Sequence, residues 1–457
     1  MSVSDLRGRF EGLFERDVTL VLAVLGVLYL AYILAGVAFG YGLRGQLNAI
    51  ANLTFYVGVF GMLALALNLH WGYTGLFNIG IVGFMGIGIY TTAVVSKPAA
   101  AGGAAQVGGL GLPLFVGITA GVVVAGLFGL LVALPALRLR ADYLAIVTVA
   151  FSEIIRFTMM SRTFQTFTVP DTIDLWLFTF DPAPDTIGLG GGGGLILNYT
   201  NPLEALLRIL FLWDPYLGFV SFVEENVISN NPKPVLDGLL YGVFLLIGVG
   251  LYYALLSRTG KSPFGRVLKA IREDEDVANA LGKDTDRFKL TAFVLGAALM
   301  GLGGILWYSA RGSVTPPSFR PNITFFIWIA LIIGGAGSNT GSFLGGALFA
   351  GVLYQGPRYV KNLVQTAFEL GSAPRNFGEA MAGFASLDPM PFILYTLDSV
   401  SQLRLVIMGV VLIWLMHNRP EGLLGHRKET ASSVDLARPG SGGSSGKATA
   451  ADGGDER

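Results

Sequence analysis

One short stretch of the chain has the residue types that bind nucleotide phosphates. Gly260, Lys261 and Ser262 match the end of a P-loop, in which backbone N–H groups and a lysine hold phosphate oxygens. The pattern also requires an earlier glycine, and that position is occupied by Leu255. The preceding residues read as a membrane span, whereas a P-loop follows a strand. The sequence therefore predicts that this chain does not hydrolyse ATP itself.

Two other glycine-rich stretches could be considered as ligand-binding loops, but their surroundings argue against that role. Residues 301–304 lie in an apolar helix, where glycine favours close helix packing. The glycine run at 188–194 lacks a flanking strand and helix, so we predict a flexible external loop. The chain has no cysteine, and its histidines are scattered, at His70, His417 and His426. We predict no catalytic residue, no metal site and no cofactor bound by this chain.

Polar residues within apolar spans are the next candidates, because polar groups at membrane depth are costly unless they are buried in protein or line a wet cavity. The span from 72 to 90 is interrupted by repeated glycines, which permit a broken helix. The residues predicted to line a substrate pathway are Thr74, Asn78, Gly80 and Tyr90. The alternative for this span is close helix packing mediated by glycine.

A charged pair lies in another apolar span. Glu153 and Arg156 have the i, i+3 spacing that places two side chains on one helix face. We favour a structural or interfacial ion pair, because proton coupling needs a longer relay of acids or histidines across several helices.

A short charged segment between two apolar spans predicts two amphipathic helices. Ser262 supplies an N-cap, Pro263 suits the first turn, and Gly282 offers a stop. Apolar residues recur between them at helical spacing, at Phe264, Val267, Leu268 and Ile271. An apolar stripe outside the bilayer needs a partner surface, and a separate soluble subunit is the predicted partner. Attraction to anionic lipid is the alternative, which the acidic residues 273–276 disfavour.

This segment resembles the cytoplasmic coupling loop of branched-chain amino-acid ABC transporter permeases of the LivM type, whose loop commonly reads FGRxLxAIREDExAAxALG. Further stretches agree in the same order within 72–90, 137–146 and 334–425. The resemblance implies that the loop couples the permease to an ATPase. The residues to which it gives that role are Phe264, Gly265, Arg266, Ala270, Ile271, Arg272, Glu273, Asp274, Ala278 and Gly282.

Composition independently indicates a polytopic membrane protein. The mean hydropathy is +0.61, with 53% hydrophobic and 14% charged residues, and a soluble domain that apolar could not cover its surface. The apolar spans predict an all-α transmembrane bundle of about ten membrane segments, several too short or glycine-rich to cross unbroken. The predicted spans are 18–40, 48–69, 75–95, 113–137, 142–160, 235–256, 290–310, 323–333, 341–354 and 403–417. The formal net charge of +0 argues against nucleic acid as a partner.

The basic residues predict an orientation, since Lys and Arg accumulate in cytoplasmic loops. Both termini and the coupling loop (258–289) are predicted to be cytoplasmic, in a multi-pass protein of the plasma membrane. Two inserts, 161–234 and 355–402, are then external. The permease domain is predicted to span 1–430. The polar tail at 431–457 has too few apolar residues to fold, and we predict that it is disordered.

The resemblance implies an ABC importer permease that moves leucine, isoleucine, valine or a related solute by alternating access. Its expected partners are a second, LivH-like permease, two ATPase subunits that use ATP, an external solute-binding protein and membrane lipid. A permease of the same fold for urea, short amides or sugars is the main alternative. An ion-coupled secondary transporter is a further one, and it would need ion-coupling residues near the midplane.

Overall fold

The computed structural model describes most of the chain. The described residues are 3–98, 107–136, 141–166, 173–175, 178–180, 187–229, 231–367, 373–386, 388–419 and 421–423. The predicted disordered tail at 431–457 lies outside the described residues.

Helices form nearly all of the described structure. In chain order they are α1 (Val3–Ala38), α2 (Leu43–Leu67), α3 (Ile81–Ser96), α4 (Leu114–Ala136), α5 (Ala141–Met160), α6 (Pro202–Ile209), α7 (Trp213–Asn226), α8 (Lys233–Lys261), α9 (Pro263–Glu273), α10 (Glu275–Ala280), α11 (Thr285–Ser309), α12 (Pro321–Gly334), α13 (Asn339–Leu348), α14 (Gly356–Ala367), α15 (Phe377–Ala382), α16 (Met390–Asp398) and α17 (Val400–Asn418).

Shorter elements connect these helices. Two stretches of π-helix, Asn68–Tyr73 and Phe349–Gln355, continue α2 and α13, and short 3-10 helices lie at Gly191–Gly193, Pro316–Phe319 and Gly383–Ser386. Four short strands form two antiparallel pairs: β1 (Ile173–Leu175) with β2 (Phe178–Phe180), and β3 (Leu195–Ile196) with β4 (Ser313–Val314). In register, Ile173 faces Phe180 and Leu195 faces Val314.

Among the described residues, seven helices are long and apolar enough to cross a membrane. The helices α6 and α7 meet at 114° and raise the number to eight if they form one span. The predicted number was about ten. The difference arises where glycine breaks the predicted spans: α3 has 16 residues, and α13 has 10 before the π-helix begins. The apolar part of α17, Arg404–Asn418, is also short.

The centre of the bundle is α2, which packs against α8, α11, α12 and α13. In its most apolar window 83% of the residues are buried, against 17% for α1 at the periphery. Glycines allow close approach between helices, because an added Cβ at Gly304 would lie 2.6 Å from Cα of Met85. The packing role predicted for the glycines at 301–304 is therefore confirmed.

The two predicted external inserts contain short helices. The first holds α6 and α7, and the second holds α14, α15 and α16. The glycine run differs from the predicted flexible loop, because the strand that follows it pairs with β4. Gly190 and Gly194 have positive φ angles of 72° and 74°, and a Cβ at Gly194 would lie 2.2 Å from the carbonyl oxygen of Val314. Glycine is needed there for the turn.

Candidate functional site

The coupling loop contains two short helices, as predicted, and α9 and α10 have the expected signals at their ends. Ser262 Oγ accepts a hydrogen bond from the backbone N–H of Gly265 at 3.2 Å. Asp274, which the sequence analysis did not identify as a cap, accepts one from the N–H of Val277 at 3.0 Å. The segment ends at Gly282, whose φ is 77°. These bonds satisfy N–H groups that a short exposed helix would otherwise leave unpaired.

The two helices are fixed to the start of α11. Phe264 stacks on Phe288 with ring centroids 5.4 Å apart. Lys289 Nζ pairs with Glu275 Oε1 at 2.5 Å, and Thr285 Oγ1 donates to the same carboxylate oxygen at 3.1 Å. The loop is therefore held to the bundle by both apolar and charged contacts, so α9 and α10 form a firm extension of α8 and α11.

The apolar stripe of α9 packs on this chain itself. Leu268 and Ile271 are buried, and α9 contacts α8, α11 and the π-helix that follows α2. The expectation that this stripe must be covered by a separate subunit was wrong. The physical reason is that the ends of two long helices and the π-helix supply the apolar surface that the stripe needs.

The predicted ATPase-coupling residues divide between two faces of the loop. The exposed ones are Arg266, Glu273, Asp274 and Gly282, whereas Gly265, Ile271 and Ala278 are buried and Phe264, Ala270 and Arg272 are half-buried. Two large apolar side chains of the loop are exposed although they were not in the predicted set: Val277 is 55% exposed and Leu281 is 74% exposed. Their i, i+4 spacing at the end of the loop was a signal that could have identified them.

The buried side of α9 contacts the π-helix. The guanidinium of Arg272 donates a hydrogen bond from Nη1 to the carbonyl oxygen of Gly72. The Lys269 ammonium lies 5.2 Å from the ring centroid of Tyr73 and donates to the carbonyl oxygen of Gly260 at 3.1 Å. These contacts attach α9 to the π-helix at the end of α2.

The predicted broken helix is present between α2 and α3. After the π-helix and Thr74, residues 75–80 are not helical, and we call them the broken segment. Gly75 has a φ of 73°, which glycine adopts without strain. The N–H of Leu76 donates to the carbonyl oxygen of His70 at 2.8 Å. An unwound backbone at this depth requires such partners within the protein.

Asn78 lies at the centre of a buried polar group around His70. Asn78 Oδ1 accepts from the N–H of Gly80 at 2.7 Å, so its Nδ2 is the atom that faces His70 Nδ1 at 3.0 Å. An amide nitrogen can only donate, and His70 Nδ1 therefore accepts. The proton of His70 is then on Nε2, which lies 3.0 Å from the carbonyl oxygen of Phe293. Both side chains are fully buried.

The other predicted pathway residues have different surroundings. Thr74 is buried and donates from its hydroxyl to the carbonyl oxygen of His70. A Cβ at Gly80 would lie 2.7 Å from the carbonyl oxygen of Thr148, which is the close packing that the alternative interpretation required. Tyr90 lies further along α3, 6.0 Å from Phe319 between ring centroids. The structure thus brings Thr74, Asn78 and Gly80 together around His70 and leaves Tyr90 in a separate aromatic cluster.

A second buried polar contact joins the π-helix that follows α2 to the start of α13. Asn68 Nδ2 donates to Asn339 Oδ1 at 3.0 Å, and Asn68 Oδ1 accepts from the N–H of Gly337 at 2.8 Å. Asn339 in turn donates to Ser257 Oγ on α8 at 3.2 Å. Neither asparagine was identified from the sequence, because each finds its partner in a distant part of the chain. Together these bonds fix the α9 end of α2, α8 and α13.

The predicted ion pair between Glu153 and Arg156 is confirmed. Arg156 Nε lies 3.0 and 3.1 Å from the two carboxylate oxygens. This fork-like contact satisfies both charges within α5. Within the described ranges, no group of three or more His, Cys, Asp or Glu side chains could hold a metal ion.

A many-helix apolar bundle, a broken helix and amphipathic helices attached to it together define a multi-pass membrane protein of the transport type. The family model described as branched-chain amino acid transport system / permease component matches residues 49–416, and the chain belongs to this family.

Relatives agree with the family assignment. The chain is 31% identical over 312 residues to the high-affinity branched-chain amino acid transport system permease protein LivM of Salmonella typhimurium, covering 67% of this chain and 62% of that protein. It is 24% identical over 330 residues to the probable LivM protein of Methanocaldococcus jannaschii, covering 72% and 78%. The LivH protein of Escherichia coli matches over 88 residues at 35% identity, covering 19% and 28%. The match therefore spans less than two thirds of the Salmonella relative. No solved structure matches the chain.

Proposed function

We propose that this chain is the permease subunit of an ABC importer that carries branched-chain or related amino acids across the plasma membrane. It works with a second, LivH-like permease, two ATPase subunits and an external solute-binding protein. The chain itself hydrolyses no ATP. Family membership supports the transport class, and the printed function of the LivM relatives supports the substrate class.

The observation that carries the proposal is that the coupling loop has two different faces, one attached to the bundle and one exposed. On its inner side Arg272 binds Gly72 at the end of α2. On its outer side Val277 and Leu281 expose apolar surface next to exposed charges. A short amphipathic element with apolar anchors and both signs of charge suits a groove on a soluble protein. The outer side is therefore the surface that an ATPase subunit contacts.

The mechanism follows from this arrangement. When the ATPase subunits close on ATP, they displace α10 and α9, which are firmly joined to α8 and α11. Arg272 transmits the displacement to the π-helix and the broken segment. A broken helix has few backbone bonds to resist a change of direction, so it can act as the hinge. The helices then rock and expose a central cavity to each side of the membrane in turn.

The orientation places α9, α10 and both termini in the cytoplasm. The exposed basic residues near the ends of α8 and α11 support it, among them Arg258, Lys283 and Arg287. The inserts with α6, α7, α15 and α16 then lie outside, where the solute-binding protein docks. The exposed apolar faces of α1 and α4 contact lipid or the second permease.

Reconstitution tests the proposed function. The chain is co-expressed with the LivH-like permease and the ATPases, and the purified complex is placed in liposomes with ATP inside and the binding protein outside. Leucine should accumulate only when ATP and the binding protein are both present. Leucine uptake driven by a proton or sodium gradient without ATP would contradict the proposal and favour a secondary transporter. Uptake of urea, a short amide or a sugar in place of leucine would contradict only the substrate.

A further inference from the structure

Two arginines lie among aromatic rings at the end of the bundle opposite α9. Arg311 follows α11, and its Nη2 donates to the hydroxyl of Tyr56 at 2.9 Å. The guanidinium carbon also lies 5.4 Å from the ring centroid of Trp307 and 5.5 Å from that of Tyr308. The Arg311 side chain is thus held by cation–π contacts and one hydrogen bond.

Arg404, near the start of α17, meets the same group of rings from the other side. Its guanidinium carbon lies 4.6 Å from the ring centroid of Tyr354 and 5.5 Å from that of Phe326. The rings of Tyr354 and Tyr56 are 4.8 Å apart, so the two arginines are attached to one aromatic pair. We call Arg311, Arg404, Tyr56, Tyr354 and Trp307 the arginine–aromatic site.

The positive charge of this site has no carboxylate partner in the described part of the chain. The ion pairs there involve Asp and Glu residues of other regions, and none includes Arg311 or Arg404. Arg311 is exposed, whereas Arg404 is half-buried. A partly buried cation such as Arg404 is costly when it lacks an anion, and proteins normally retain such a cation for a ligand or a partner.

Hydrogen-bonding groups at the site are also left unused. Arg404 Nε–H is buried without an acceptor, and Nη1 has only a 3.5 Å contact with the carbonyl oxygen of Tyr354. Trp307 is 1% exposed, and its Nε1–H has no acceptor either. Two buried N–H groups, one on Arg404 and one on Trp307, therefore lack an acceptor, while the aromatic rings offer an apolar wall.

We propose that the arginine–aromatic site binds the carboxylate of the amino acid as it enters the permease, an inference that rests on the proposed function. The free N–H groups of the guanidinium forks suit a carboxylate in planar, bidentate geometry. The half-buried ring of Tyr354 receives the apolar side chain of the substrate, whereas Tyr56 is buried and holds Arg311 in place. Urea and sugars lack the carboxylate, so the site selects amino acids at the entrance.

The position of the site supports this role. Tyr56 lies on α2, the helix whose other end carries the π-helix and the contact with Arg272. Trp307 lies on α11, whose start is fixed to α10. The substrate would therefore act near the middle of α2 and at the end of α11, whereas the ATPases would act through the other end of each helix. The orientation in the proposed function puts the end of α11 on the external side.

Equilibrium binding tests the inference. Radiolabelled leucine is titrated into the purified complex in detergent, without binding protein or ATP. Arg311→Gln and Arg404→Gln should each weaken leucine binding about tenfold or more, because each removes charged hydrogen bonds to the carboxylate. Arg320→Gln is the matched control, an exposed arginine at the same end of the bundle, and should bind leucine like the wild type. Leucinamide, which lacks the carboxylate, should not compete with leucine.

Further readouts identify the source of the carboxylate. Arg404→Lys keeps the positive charge without the fork, so it should fold and bind leucine with intermediate affinity even where Arg404→Gln folds poorly. If the variants bind leucine normally but no longer bind the second permease, the arginines pair with an acidic side chain of that partner. This result would overturn the inference. Normal binding and normal assembly would also overturn it. Failure of the wild type to bind leucine, with uptake of another solute, would instead overturn the proposed function.

Discussion

Arg272 donates a hydrogen bond to the carbonyl oxygen of Gly72, although 200 positions separate the two residues in the sequence. The bond joins the coupling loop to the π-helix that ends α2. Gly72 has no room for a side chain, since a Cβ there would lie 1.9 Å from Asn68 Oδ1 and 2.6 Å from the backbone nitrogen of Gly337. The accepting carbonyl is thus held in a tightly packed junction.

Leu281→Asp should detach the ATPase subunits and leave the bundle folded. Its side chain is 74% exposed, so a charge there costs little within the chain but disturbs an apolar contact with a partner. We expect a loss of about 1–3 kcal/mol in docking. Co-purification of the ATPases measures it.

Gly265→Ala is the contrasting control for that experiment. An added Cβ at Gly265 would lie 2.2 Å from the carbonyl oxygen of Thr259, so this variant should lower the folded yield of the permease. If Leu281→Asp leaves the recovery of the ATPases unchanged, the outer face of the loop is not the docking surface.

Asn78→Leu should reduce the stability of the permease. The change leaves His70 Nδ1 and the N–H of Gly80 without their partners in a fully buried place, at a cost of about 1–3 kcal/mol for each group. The melting temperature of the purified complex should fall, and the leucine affinity of the folded complex should stay unchanged. An unchanged melting temperature with reduced leucine uptake would instead favour Asn78 as a group lining the pathway.

Cysteine labelling should reveal the orientation, because the chain has no cysteine of its own. Gly192 is exposed with open space around it, and Arg258 is exposed at the cytoplasmic end of α8 in the proposed orientation, so both sites accept a cysteine. A membrane-impermeant thiol reagent added to intact cells should label Gly192→Cys and should label Arg258→Cys only after lysis. The opposite pattern would invert the proposed topology.

The sequence predicted those features that depend on neighbouring residues. Ser262 and Gly282 mark the ends of the coupling segment through local backbone chemistry, and the glycines after Gly72 indicate a broken helix. The burial of Leu268 was not predictable in this way, because amphipathic periodicity shows that a stripe will be covered but not by which surface.

The contacts that the sequence analysis missed are long-range. His70 was dismissed because the histidines are scattered, yet its partners include Phe293, 223 positions away. Arg311 and Arg404 meet only through the folding of α11 and α17 around the rings of Tyr56 and Tyr354. Such pairings depend on tertiary packing, and no local pattern encodes them.

The most direct test of the account is the number of ATP molecules hydrolysed per leucine transported in the reconstituted complex. Arg272→Ala removes the bond to Gly72 and should reduce leucine uptake about tenfold, in line with the loss of a charged hydrogen bond, while the ATPases remain bound and continue to hydrolyse ATP. Arg266→Ala, at an exposed position of the same helix, should keep the wild-type ratio of ATP to leucine. If Arg272→Ala also keeps that ratio, the loop does not drive transport through Gly72.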